Sequence, residues 1–157
     1  MLEFLKKQRA GFYLNIVLFV MTLISLILFA MNSSLALFSA VASINGGIYA
    51  CLILSLIALL ASIGLGAAPI LKEGKQLALK ETIIDVLRII ICILLAIATV
   101  VFVGGRIENL GYYFGSDLYL GNSQAIAAVM QALACIIFAI TWVISLISVF
   151  FLQAKEQ

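Results

Sequence analysis

Asp85 and Arg88 lie three residues apart within an otherwise uncharged run from Ile83 to Val103, a spacing that puts both on one helix face and lets them pair. A charge inside a membrane span marks a pathway, a partner contact or a topological anchor. Lys80 and Glu81 stand one turn away, so the simplest expectation is an intrahelical pair, with Arg88 snorkelling to the nearer headgroups. A second polar group follows the same run: Arg106, Glu108, Tyr112, Tyr113, Asp117 and Tyr119, interleaved with Gly111, Gly115 and Gly121. Tyrosine combines contact area with a polar tip. Such a stretch suits a partner protein or a sugar ring, and also suits an aromatic belt at a membrane interface.

Other chemistry is limited by what the residues lack. The chain has no histidine, which removes haem or zinc held on imidazole and proton relays through it. Cys51, Cys92 and Cys135 fall singly in three different apolar runs. Four-span thiol oxidoreductases that pass electrons to quinone need a vicinal cysteine pair, and none is present. No glycine-rich phosphate loop, nucleophile elbow or catalytic dyad occurs. The expectation is a non-enzyme with no cofactor, no metal and no nucleic-acid partner.

The elements that position these residues are long apolar runs. Two thirds of the 157 residues (66%) are hydrophobic, and four stretches, about 12–31, 48–70, 83–103 and 125–152, are each long enough to cross a bilayer, which takes about 20 residues. Unpaired backbone groups are costly in hydrocarbon, so a spanning segment is a helix or a strand of a closed barrel. Continuous rather than alternating hydrophobicity selects helices. The run after Lys6, Lys7 and Arg9 exceeds the h-region of a cleaved signal peptide, so the first helix is expected to stay as an anchor.

Small and polar residues share one face of each run, as in helices that pack against one another. Asn15, Thr22 and Ser25 align in the first; Ser55, Ala58, Ser62 and Gly66 form a stripe in the second; Asp85, Arg88, Cys92, Ala96 and Thr99 align in the third; Gln124, Gln131, Thr141, Ser145 and Ser148 align in the fourth. Asn45, Gly46 and Gly47 read as a turn. Orientation follows from the basic residues: Lys6, Lys7, Arg9, Lys72, Lys75, Lys80, Arg88 and Lys155 fall on one side and only Arg106 on the other. The positive-inside rule then puts both termini and the loop from Leu71 to Thr82 in the cytoplasm, and the loops from Asn32 to Gly47 and Gly104 to Gln124 outside.

The sequence therefore predicts an all-α fold: an integral membrane four-helix bundle (tetraspan), N-in and C-in, as one transmembrane domain over 1–157 in the cell (inner or plasma) membrane. Lys6, Lys7 and Arg9 running into Gly11, Phe12 and Tyr13, together with Arg106, Glu108, Gly111 and Tyr112, resemble a group of uncharacterised small four-span bacterial membrane proteins. In topology alone the chain is similar to MARVEL and claudin-type tetraspan proteins. The claudin tryptophan and cysteine signature is missing from its outer loops, and Trp142, the one tryptophan, lies in the fourth run. No function is carried over from either.

The functional expectation is a non-catalytic membrane subunit that anchors, scaffolds or stabilises a larger membrane or cell-surface complex. Its partners would be the bilayer and another membrane protein or a second copy. The alternative is a small homo-oligomeric channel or transporter for an ion or small solute, lined by Gln131, Thr141, Asn15 and Thr22 with Asp85 and Arg88 at its inner mouth, and with the stripe at Ser55, Ala58, Ser62 and Gly66 supplying the contact between copies. A weaker third is a lipid or quinone enzyme using Arg106, Glu108 and Asp117.

Overall fold

In hydrocarbon a chain can satisfy its backbone only within itself, and the cheapest way for a continuous apolar run is a helix. A computed structural model describes residues 10–34, 42–68, 74–115 and 123–151, which form four helices: α1 (Ala10–Ser34), α2 (Ala42–Ala67), α3 (Gly74–Gly115) and α4 (Ser123–Val149). Each contains a segment long and apolar enough to cross a membrane: Ala10–Ser33, Gly46–Ala67, Ala78–Ile107 and Ile126–Val149. This is the make-up of a multi-pass membrane protein. The only proline, Pro69, follows α2 by two residues, where its missing N–H and fixed φ stop the helix from continuing.

Neighbours in sequence are neighbours in space, and α4 returns to pack on α1, so each helix packs mainly on two others around a ring. Side-chain contacts fix the directions. Asn15 meets Ser62, while Ser33 meets Tyr49; Ser25 meets Thr141; Thr99 reaches the Phe138 carbonyl; Lys80 reaches the Ala68 carbonyl. All four adjacent pairs are therefore antiparallel, giving an up-down-up-down bundle. One end gathers the start of α1, the end of α2, the first turns of α3 and the end of α4, and is called the Arg88 end below. The opposite one is the Asn32 end.

Apart from Phe12, Thr99, Ala127 and Ala128, the buried positions repeat mainly at alternating steps of four and three. They are Gly11, Asn15, Leu18, Thr22, Ser25, Phe29 and Asn32 in α1, and Ile48, Leu52, Ser55, Leu59, Ser62 and Gly66 in α2. In α3 they are Ile84, Arg88, Ile91, Leu95, Ala98 and Phe102, and in α4 Gln131, Ala134, Phe138, Thr141, Ser145 and Ser148. This is the a/d spacing of knobs-into-holes packing, with a mean period of about 3.5 residues. Large apolar side chains face outward on every helix, among them Val17, Ile27, Ile57, Leu60, Ile93, Val100 and Ile140. That is the surface expected of a bundle whose solvent is lipid.

Two segments differ from the sequence expectation. Asn45, Gly46 and Gly47 lie within α2 rather than in a turn, and α3 runs through Gly104, Gly105 and Gly111 to Gly115. The expected outer loop from Gly104 to Gln124 thus begins as helix. A helical glycine costs about 1 kcal/mol relative to alanine, which does not offset the loss of backbone hydrogen bonds at a membrane boundary. A Cβ at Gly104, Gly105 or Gly111 would meet nothing within 4 Å, so these glycines serve neither a close approach nor a turn. At its full 42 residues α3 is about 63 Å long, roughly twice the thickness of the hydrocarbon core.

Candidate functional site

The interior of the bundle carries a polar axis interrupted by one aromatic layer. At the Arg88 end, Arg88 is 1% exposed, whereas its ion-pair partner Asp85, 3.7 Å away, is 52% exposed. The pair expected on one face is thus formed, but its members point differently: Arg88 enters the bundle instead of snorkelling out, and Asp85 turns outward. The reason lies in α4. Arg88 Nη1 donates to the carbonyl of Phe151 just beyond that helix, where the last carbonyls have no partner of their own and the helix dipole attracts a cation. Lys80 does the same for α2, its Nζ donating to the Ala68 carbonyl at 2.7 Å. Lys80 and Arg88, about two and four turns into α3, thus cap the C-terminal ends of both its neighbours.

Further in, Asn15 Nδ2 donates to Ser62 Oγ at 3.2 Å between α1 and α2. The hydroxyls of Ser25 and Thr141 meet at 3.2 Å between α1 and α4. Each of those hydroxyls also lies within reach of its own helix, Ser25 of the Met21 carbonyl at 3.0 Å and Thr141 of the Ile137 carbonyl at 2.7 Å. A hydroxyl has one proton, so the bond across the interface competes with bonding back to the helix.

Beyond this level one aromatic ring from each helix converges. Phe102 (α3) stacks on Phe138 (α4) with centroids 4.6 Å apart. Phe29 (α1) stands edge-on to Phe102 at 5.6 Å and to Phe138 at 6.4 Å, and Tyr49 (α2) is edge-on to Phe29 at 4.7 Å. Offset and edge-to-face contacts are the favourable arrangements of aromatic quadrupoles. Sequence reasoning missed this layer, since four aromatic residues in four apolar runs carry no sign that they meet.

Toward the Asn32 end the interior turns polar again, with Asn32 1%, Arg106 5% and Gln131 0% exposed. Arg106 corrects the sequence reading. Expected as an outward-facing charge on a loop, it is a buried residue of α3, because the helix continues and position 106 follows Phe102 by one turn on the inward face. Arg88 and Arg106 are 18 residues apart, five full turns, so they share a face of α3 at a separation of about 27 Å. Glu108, Tyr112 and Tyr113 lie on the helical backbone of α3, their side chains outside the described structure, and Asp117 and Tyr119 lie outside the described residues.

Of the packing stripe in α2, Ser55, Ser62 and Gly66 are buried in the bundle and Ala58 is half-buried beside them. The stripe faces α1 and α3 and is not a free surface for a second copy, which removes the contact suggested for a homo-oligomer. In α3 the expected seam is offset: Arg88 and Thr99 are buried, Cys92 and Ala96 half-buried and Asp85 exposed. The true inward face adds Ile84, Ile91, Leu95 and Phe102. Among the described residues no three histidine, cysteine, aspartate or glutamate side chains come together, and the three cysteines are free thiols on α2, α3 and α4. The chain matches no protein-family model, no curated protein and no solved structure.

Proposed function

We propose that the chain is a non-catalytic integral membrane subunit that anchors or stabilises a larger membrane or cell-surface complex. The observation that carries this reading is the length of α3. It continues as helix for eight residues beyond its span, from Glu108 to Gly115, about 12 Å. That extension holds Tyr112 and Tyr113 and exposes Phe114 at 64%. A rigid helix end that leaves an aromatic ring exposed at the rim of the bundle is suited to a partner, because aromatic side chains give large contact area at interfaces. The interior supports the same reading, since Asn15 bonds to Ser62 and Ser25 meets Thr141 across the seams and a layer of four aromatic rings lies across the axis.

The proposed orientation is N-in and C-in, in the cell membrane. Its support is the sequence order around the described helix ends: α1 begins, α2 ends and α3 begins at the Arg88 end of the antiparallel bundle. In sequence, Lys6, Lys7 and Arg9 directly precede α1, Lys72 falls between α2 and α3, and Lys75 and Lys80 fall in the start of α3, the bias the positive-inside rule associates with a cytoplasmic face. Extraction from native membranes in a lipid-preserving medium, with mass spectrometry of the intact complex, tests the functional reading. A stoichiometric larger partner weakened or lost on Phe114→Glu is expected, and recovery of this chain alone under the mildest extraction would reject it.

A second reading, a small channel or transporter, draws support from Arg88 and Arg106 at the two ends of one helix face. Flux of a small anion into proteoliposomes, abolished by Arg88→Gln and by Arg106→Gln, would move the weight to it.

A further inference from the structure

The packing of α2 against α3 leaves a notch on the outer, apolar surface of the bundle. A cavity of about 100 Å³ opens there, lined by Gly47, Ile48 and Cys51 of α2 and by Ile97, Ala98 and Val101 of α3. Ile48 and Ala98 are buried and form its floor, while Gly47, Ile97 and Val101 stand exposed on its rim. The sequence suggested a turn at Asn45, Gly46 and Gly47, but the helix carries all three. A Cβ at Gly47 would meet nothing within 4 Å. The side chain missing at Gly47, together with the small Cys51 and Ala98, is what keeps the notch open.

The notch lies at hydrocarbon depth. The apolar span of α2 begins at Gly46 and that of α3 ends at Ile107, which puts Cys51 about 8 Å and Val101 about 9 Å inside the Asn32 end. The lining holds no charged side chain and no amide or hydroxyl, so a polar ligand has nothing to bond. Apolar cavities stay dry and take apolar guests, and walls left bare forfeit their dispersion contacts.

Shape separates the two apolar occupants a membrane offers, a neighbouring helix and a lipid chain. Helices approach closely over rows of small residues. Deeper in the membrane the outward positions that continue the notch are Leu54 and Ile57 on α2 and Ile93 on α3, all more than half exposed. These ridges hold off a rigid helix that crosses the bilayer. A single acyl chain is thin and flexible enough to enter between them, and inside the notch it touches two walls and a floor instead of one convex surface.

We propose that the notch between α2 and α3 is a binding site for one phospholipid acyl chain from the leaflet at the Asn32 end, seated against Gly47, Cys51 and Ala98. The site is a property of the folded chain and stands independently of the subunit reading.

The test uses the full chain in nanodiscs of phosphatidylcholine that carries a diazirine part-way along one acyl chain. After irradiation, mass spectrometry of peptides locates the adducts, and comparing the same residue across variants cancels differences in side-chain reactivity. Adducts at Cys51 and Val101 should fall about threefold or more in Gly47→Leu, which fills the notch, and by a smaller factor in Gly47→Ala, which keeps the test valid should leucine disturb the packing. Gly64→Leu alters another helical glycine of α2 whose Cβ would meet nothing within 4 Å; it should leave both yields unchanged, and adducts at Ile57 should stay constant throughout. Equal yields at Cys51 and Val101 in the parent chain and both Gly47 variants, or an equal fall in Gly64→Leu, would overturn the proposal. So would a disulfide between Cys51 residues of two copies, formed under mild oxidation in the nanodiscs with no lipid adduct at Cys51, because a second chain would then fill the notch.

Discussion

Phe138 is the sharpest probe of what holds this bundle together. Its ring is 2% exposed, stacked on Phe102 and edge-on to Phe29. In a water-soluble core Phe→Ala costs about 3–5 kcal/mol, part of it lost transfer energy and part the cavity left behind. In a bilayer the transfer part vanishes, because the ring stays in hydrocarbon whether the helices are packed or separated. The cavity part remains. At about 24 cal/mol per Å³, and about 100 Å³ for the atoms removed, Phe138→Ala should cost about 2–3 kcal/mol, the ring-pair energy being largely contained in that figure. Phe138→Leu, which keeps most of the volume, should cost less than about 1.5 kcal/mol. Reversible unfolding in mixed bicelles, followed by Trp142 fluorescence, measures both. A loss below about 1 kcal/mol would mean that the ring does not sit in a packed layer, and one above about 4 kcal/mol would mean that the unfolded state exposes it to water; either result refutes the reasoning.

Other positions separate the remaining contributions. A double-mutant cycle of Ser25→Ala with Thr141→Val should give a coupling energy no larger than the average of about 0.6 kcal/mol for interhelical bonds in membranes, since both hydroxyls have an alternative acceptor on their own helix. Asp85→Asn should change stability by less than about 1 kcal/mol, because a half-exposed partner in an ion pair contributes little. Arg88→Ala, which strips the Phe151 carbonyl of a charged donor worth about 1.5–3 kcal/mol, should destabilise clearly more in the same assay and speed amide exchange in the last turn of α4. Gly105→Ala should stabilise by about 0.4–1 kcal/mol, as the site is helical and open; a loss would show that the helix does not persist there.

The placement of the ends of α2 and α4 shows why charge near a membrane surface has more than one use. Lys80 and Arg88 count toward the positive-inside bias that the sequence displays, and in the fold they also satisfy carbonyls that neither lipid nor their own helices can satisfy. Spacing showed that Asp85 and Arg88 can pair. It gave no indication that Arg88 would cross to α4, because the acceptor is a main-chain group sixty-three residues away.

The amino-acid sequence by itself determined the number and type of the elements. Four uncharged runs of spanning length leave the helix as the cheapest backbone arrangement in lipid, and the small and polar residues Asn15, Ser25, Ser62, Thr141 and Ser145 already mark most of the inward faces. Tertiary structure decided the rest. Apolar side chains cover all sides of these helices, so no amphipathic stripe announces which Ile, Leu or Phe turns inward, and lipid supplies no hydrophobic force to sort them. Packing geometry does that sorting through the alternating steps of three and four. It brings Phe29, Tyr49, Phe102 and Phe138 into one layer, and it draws Arg106 into the bundle by continuing α3 through glycines that resemble a loop. Those contacts join residues distant in the chain, and only the folded bundle brings them together.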